Sequence, residues 1–249
     1  SQDLIDYVDT KIYSDNIIIE YIELPYHFYD LRTMAIYCKT LKKARNYNPD
    51  LYYTSLQAAP FGPIIYRLYL PLNKTVAACH NVSTPQGANQ ELYARIFTSL
   101  HLKTFKNIQV FSDYQKDLLL RKYPNKQVLN APLALKDYGN VQKERHFDDK
   151  EIVFLFFGKI LGYKRVDWLI KASQSLYEKG YSNFKIKIAG NCKNWNDYEQ
   201  LIRYPELFET KIGYIPNDSI AELFGSSDYF VMPYQDIAQS GAIMVAYRY

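Results

Sequence analysis

The chain has 249 residues, 48% hydrophobic and 22% charged, with a net charge of +4. That balance excludes a disordered, collagen-like or coiled-coil chain, and no run of about 18 apolar residues marks a transmembrane helix. The length asks for one large or two modest domains.

Strand-like and helix-like patterns alternate along the chain. Residues 17–24 are β-branched and apolar and read as a strand, and 29–46 carry Leu31, Met34, Ile36 and Leu41 at helical spacing. Strands are expected at 50–54, 75–79, 108–111 and 128–130, with helices at 62–70, 90–105 and 113–123 between them. Residues 131–149 break the rhythm with Pro132, Gly139 and a charged stretch, so 139–150 is the expected linker. The alternation resumes with strands at 152–157, 185–189, 211–215 and 229–232. Helices are expected at 165–179, 195–203 and 217–225, the last capped by Asn217, and another begins near Gln239. Strands separated by helices of this length predict βαβ units and parallel sheets. The expected class is α/β, with two doubly wound Rossmann-like domains at 1–138 and 151–249. The chain begins without Met and ends inside a helical pattern, so a piece of a longer protein, incomplete in both domains, is expected.

Charge, cysteines and glycines narrow the function classes. Residues 1–143 hold 17 Lys and Arg against 12 Asp and Glu, whereas 144–249 hold 13 against 14. A mildly basic first half suits an anionic membrane surface or a phosphate-bearing partner, or is a solvated face. Nucleic-acid binding needs a denser basic stripe and a module signature, and neither is present. Cys38, Cys79 and Cys192 are widely spaced with no C-x-x-C, which argues against a zinc knuckle or redox pair and fits free thiols in the cytoplasm. Of ten glycines only Gly62 and Gly87 precede Gly139, so a phosphate-cradling turn belongs in the second half.

Ligands of open α/β sheets bind at the carboxyl ends of strands, and three such ends carry chemistry. Phe157-Gly158-Lys159 followed by Tyr163-Lys164 puts two ammonium groups in one strand-to-helix loop, suited to a diphosphate or simply facing water. Pro233-Tyr234 followed by Gln239-Ser240-Gly241 is a strand end, a loop and a small-residue helix start. It can bind phosphate or be an N-cap by Ser240. His80-Asn81 ends an apolar strand and opens a polar loop with Ser83, Thr84, Gln86 and Gly87, where the histidine is ligand-facing or structural.

Taken together, these pieces resemble the donor-binding half of family 4 glycosyltransferases, which have the GT-B fold. The likeness runs in order. It begins with Phe157-Gly158-Lys159, Tyr163 to Ala172 and Lys187-Ile188-Ala189-Gly190. It continues through Ile215-Pro216, Ile220 to Phe224 and Ser227-Asp228, and closes with Val231 to Tyr234 and Gln239-Ser240-Gly241. Residues 1–140 resemble the acceptor-side domain more loosely, through His80-Asn81 and Phe111-Ser112. The resemblance implies sugar transfer with retention from a nucleotide-diphosphate donor to a glycan or lipid-linked glycan acceptor, as in surface polysaccharide synthesis. It implies no bound metal and no cofactor beyond the donor. Carried over by position, Lys159 and Lys164 contact the diphosphate, and Gly158 makes the turn beneath them. Ser240 and Gly241 offer backbone N–H groups. Gly190 opens the loop near the base, and His80 sits in the cleft near the transferred sugar.

One departure stands out. Many members carry two glutamates eight positions apart around the last helix, where this chain has Ile237 and Val245, with Asp236 and Gln239 as the nearest polar substitutes. That leaves open a sugar-nucleotide epimerase of the same fold, or a non-catalytic binding subunit. The basic first half adds an expected peripheral contact with the inner face of an anionic membrane.

Overall fold

The computed structural model describes residues 16–27, 29–55, 60–84, 91–141, 151–235 and 240–249. The expected loop residues Gln86 and Gly87, the charged stretch 143–150, and Asp236, Ile237 and Gln239 lie outside them.

Helix α1 (Leu31–Asn46) starts where the Asp30 carboxylate accepts the Arg32 N–H at 2.8 Å. Then come β1 (Tyr52–Ser55), α2 (Gly62–Tyr69), β2 (Thr75–Ala78), α3 (Glu91–Thr104), β3 (Asn107–Val110), α4 (Asp113–Lys122) and β4 (Gln127–Asn130). The four strands pair in parallel in the order β1-β2-β3-β4. Ala77, Ile108, Val110, Leu102, Phe105 and Leu119 form the core between this sheet and its helices.

The second sheet is built from β5 (Ile152–Phe157), α5 (Val166–Glu178), β6 (Phe184–Gly190), α6 (Asn196–Glu199), β7 (Phe208–Ile212), α7 (Ile220–Gly225), β8 (Tyr229–Phe230) and α8 (Gly241–Ala246). Its order is β7-β6-β5-β8, all parallel, so the chain winds outward through β6 and β7 and then returns to the other side of β5. Successive residues of β5 and β6 face opposite sides. Phe156, Ile186 and Ile188 pack on Val166 and Ile170 of α5. Leu155 and Ala189 pack on Ile220, Leu223 and Phe224 of α7 and Val245 of α8. Both faces are buried, which is why β5 reads as a continuous apolar run.

Four expectations are corrected. Residues 17–24 form no strand and are exposed, Ile18 by 81%. The Glu20 carboxylate accepts from Lys43 Nζ at 2.7 Å and Tyr47 Oη at 2.9 Å, which lays this segment across α1 rather than beside β1. The strand expected at 211–215 lies at Phe208–Ile212, because pairing with β6 runs from Ile186↔Phe208 to Gly190↔Ile212 and Gly213 leaves it at φ +139°. The helix expected at 195–203 is confined to Asn196–Glu199. The buried Gln174 side chain bonds Leu201 O and the Arg203 N–H, satisfying the following backbone outside a helix. Asn217 does not cap α7. It opens a 3-10 turn in which the Ser219 N–H donates to Pro216 O, and Ser219 precedes the helix.

Residues 131–141 have no regular structure, yet 136–141 pack on the second sheet's helices. The Lys136 N–H donates to Met244 O at 3.3 Å, and the Tyr138 N–H to Tyr249 Oη at 2.7 Å. Tyr249 Oη in turn donates to Gly139 O at 3.0 Å. The Asp137 carboxylate accepts from Arg248 Nε at 2.8 Å. Val141 lies against Gly225, where a Cβ would meet it at 2.3 Å.

His101 is a buried group that responds to pH. It is 0% exposed, beneath Gly62, whose absent Cβ would lie 2.3 Å from Nε2. Nδ1 is 2.8 Å from Phe97 O, an acceptor only, so Nδ1 carries the proton and Nε2 is bare, with no partner among the described residues. Burial lowers its pKa, outweighing the Phe97 bond. An unfolded chain therefore takes up a proton at a pH where the folded one does not. Stability from this group is complete above about pH 6.5 and is lost as pH falls from there toward the lower folded-state value. Urea midpoints measured at falling pH should decline below that point, and a His101→Leu chain should lack that component.

Candidate functional site

The reversal of strand order falls between β5 and β8, and in open α/β sheets that is where a crevice forms beyond the strand ends. The loops after these two strands meet there around a cavity of about 260 Å³. It is lined by Lys136, Phe157, Gly158, Tyr163, Lys164, Tyr234, Ser240, Gly241 and Val245, among others.

The loop after β5 is shaped by two glycines. Gly158 stands at φ +123° and Gly190, at the end of β6, at φ +144°. A Cβ on Gly190 would lie 2.1 Å from Gly158 O, so the two strand ends touch through backbone alone. Gly158 N–H donates to Ala189 O at 2.9 Å and Ile160 N–H to Asn191 O at 2.8 Å, which carries the chain out of the sheet in step with β6. A 3-10 turn over Gly162–Lys164 follows, and Arg165 takes a left-handed conformation at φ 52° to start α5. That conformation is costly for a non-glycine residue. It is held by Arg165 Nη2 to Asp167 Oδ2 at 2.7 Å, by Nε to Oδ1 at 3.0 Å, and by the guanidinium lying 4.0 Å over the Trp168 ring.

The turn points Lys164 back over Gly158, with Nζ 3.2 Å from where a Cβ there would be. The ammonium stands 5.2 Å from the Tyr234 ring centroid and 5.9 Å from that of Phe156. Burial, and then repulsion from Lys159, lower its pKa. Lys159 itself is exposed at the loop's edge. Across the cavity, Ser240 Oγ accepts the Ala242 N–H at 3.3 Å, so Ser240 is the cap of α8. Tyr234 Oη is buried with no hydrogen bond among the described residues, although it lies toward Ser240, and burial pushes its pKa up to about 12. Val245 is 2% exposed in the core beneath. No carboxylate lines the cavity among the described residues.

The structure thus brings Gly158, Lys164, Ser240 and Gly241 to one cavity, with Gly190 behind Gly158 and Lys159 at the rim. Asp236 and Gln239 lie outside the described residues. His80 belongs to the other sheet, exposed beyond β2 and stacked on Phe111 with centroids 4.5 Å apart. Sequence reasoning missed Lys136. It sits in an irregular segment with no periodicity, and only the hydrogen bonds of residues 136–139 bring it to the cavity. Tyr163 and Tyr234 were parts of motifs, but nothing in the pattern marked them as cavity walls.

Residues 138–244 match the family glycosyl transferases group 1. No curated protein matches the chain. Among solved structures, TarM superposes with a TM-score of 0.57 at 14% identity, over 77% of this chain and 39% of TarM. An Escherichia coli structure titled trehalose-6-phosphate, bound with UDP-2-fluoro glucose, gives 0.56 at 9% identity, over 85% of this chain and 60% of that one. UDP-GlcNAc 2-epimerase from Neisseria meningitidis bound to UDP-GlcNAc gives 0.50 at 13%, over 84% and 61%. At such identities the common property is the fold, two Rossmann-like sheets of GT-B type, and this chain spans less than two thirds of each of these proteins.

The contact between Gly190 and Gly158 can be tested directly. Gly190→Ala adds a Cβ into a backbone oxygen at a positive φ, and should cost at least about 2 kcal/mol of stability in chemical denaturation. Gly180→Ala, also at positive φ but with open space around it, should cost less.

Proposed function

We propose that this chain, whose residues 138–244 match the group 1 glycosyl transferases, transfers a sugar from a nucleotide-diphosphate donor whose diphosphate occupies the cavity between the β5 and β8 loops. The observation that carries this reading is a cavity at the switch point of a parallel sheet, lined by no carboxylate among the described residues, with the Lys164 ammonium directed into it and Lys159 in the same loop. As the bond from the anomeric carbon to the diphosphate breaks, negative charge grows on the leaving phosphate. An ammonium already desolvated against Tyr234 and Phe156 stabilises that charge more than a hydrated one would. An anion between Lys164 and Lys159 also relieves their mutual repulsion. Gly158 leaves room for a phosphate to lie close to the backbone. The lysines neutralise the diphosphate directly, with retention at the anomeric carbon as the family resemblance implies. The structure solved with UDP-2-fluoro glucose supports a donor of this class. Val245, apolar and buried, leaves the ribose and sugar contacts to the loop after β8.

His80 and Phe111, stacked beyond β2 and β3, are proposed to line the acceptor side. The acceptor is a glycan or a lipid-linked glycan, reached at an anionic membrane surface. Helix α3 supports that surface. Leu92 and Ile96, one turn apart, are 70% and 50% exposed and line one groove with Arg95, Lys103 and Lys122, together with Glu91, which pairs with Arg95 at 3.8 Å. An apolar pair with Lys103 and Lys122 in the same groove suits contact with an anionic headgroup layer. No helix among the described residues is long and apolar enough to cross a membrane.

Nucleotide release from UDP-, GDP- and ADP-sugars, with product analysis, tests the donor reading. The intact protein should release nucleotide from one of them, and Lys164→Ala should slow this about 100-fold. No release from any donor refutes the reading, and a new sugar nucleotide formed without acceptor assigns the chain to the epimerases instead. Co-sedimentation with phosphatidylglycerol vesicles should exceed that with neutral vesicles, and Lys103→Glu with Lys122→Glu should abolish the preference.

A further inference from the structure

The cavity has a third cation that no motif includes. Lys136 comes from the irregular segment after β4, yet its Nζ lies against the first residue of α8. A Cβ on Gly241 would be 3.4 Å from Lys136 Nζ and 3.9 Å from its Cε. Lys136 lines the same cavity as Lys164, and faces it from the β8 side. Among the described residues, no hydrogen bond or ion pair engages its ammonium group. Its backbone is anchored by the N–H bond to Met244 O. The next residues are anchored by the Asp137–Arg248 pair and the two Tyr249 bonds, so the lysine is delivered to one place without belonging to a helix or strand.

We propose that Lys136 is a diphosphate-binding residue, reaching the cavity at Gly241 as Lys164 does at Gly158. The claim rests on the donor reading above and adds to it a residue and a geometry. Lys136 and Lys164 line one small cavity in which no carboxylate stands among the described residues, so a dianion bound there meets cations from two separate segments of the chain. The Tyr234 hydroxyl, buried at the cavity without a hydrogen bond among the described residues, is a third donor for the same anion.

Calorimetry on the intact protein with inorganic pyrophosphate, UDP, GDP and ADP tests this. Lys136 is exposed and its anchoring bond is main-chain, so Lys136→Ala should fold, with an unchanged denaturation midpoint. The wild-type protein should bind one of these nucleotides. Lys136→Ala should weaken that binding and pyrophosphate binding at least about tenfold, the expected loss of a hydrogen bond between charged groups. Lys136→Arg should restore most of it, and binding of the corresponding nucleoside should not change. Equal affinity of wild type and Lys136→Ala for the nucleotide overturns the proposal and leaves the donor reading standing. If the wild-type protein binds no nucleotide and no pyrophosphate, both fall.

Discussion

Gly190 and Gly158 meet backbone to backbone at the carboxyl ends of β6 and β5, and the geometry of the cavity follows from that contact. With no Cβ between them, β5 can leave the sheet in step with β6 and turn at once toward β8. The turn is too short for Lys164 to reach away from the sheet. It folds back over Gly158, and the left-handed Arg165 behind it is locked by Asp167 and Trp168. A side chain at position 190 would separate the strand ends, and the lysine's direction would change with them.

Electrostatics and packing therefore act together here. Lys164 is held among aromatic faces, where its charge is less stable than in water, and Lys159 makes it less stable still. Such a group is a poor surface cation and a strong anion ligand, because whatever anion it meets replaces solvation that folding removed. Tyr234 has the same character in neutral form: its hydroxyl is buried without a hydrogen bond among the described residues, and burial keeps its proton on.

Much of this was legible in the sequence. The strands of the second half are bounded by glycines and apolar runs, and β5 is found where the alternation puts it, because a strand buried on both faces leaves an uninterrupted apolar stretch. Segment 17–24 misled for the same reason. It has the composition of a buried strand, but composition carries no information about a pairing partner, and Glu20 binds it to α1 instead. The strand after Gln200 was misplaced by three residues, since its register is set by β6 and by Gly213 rather than by its own apolar residues. At the site, Gly158, Lys164, Ser240 and Gly241 could be found because each sits at a strand end or helix start. Lys136 could not. Its position comes from contacts with residues 244–249, over a hundred positions away.

Those contacts have a consequence for how the two halves can be exchanged. A cut between domains by sequence would be made in the charged stretch near 143–150. The segment 136–141 would then travel with the first half. A graft joined there would give the second half a foreign strand along α8, remove the partners of Arg248 and Tyr249, and leave Gly225 without Val141 against it. The unit that can be transplanted begins before Lys136, shortly after β4. The piece that looks like a tether in the sequence is structurally a wall of the second domain.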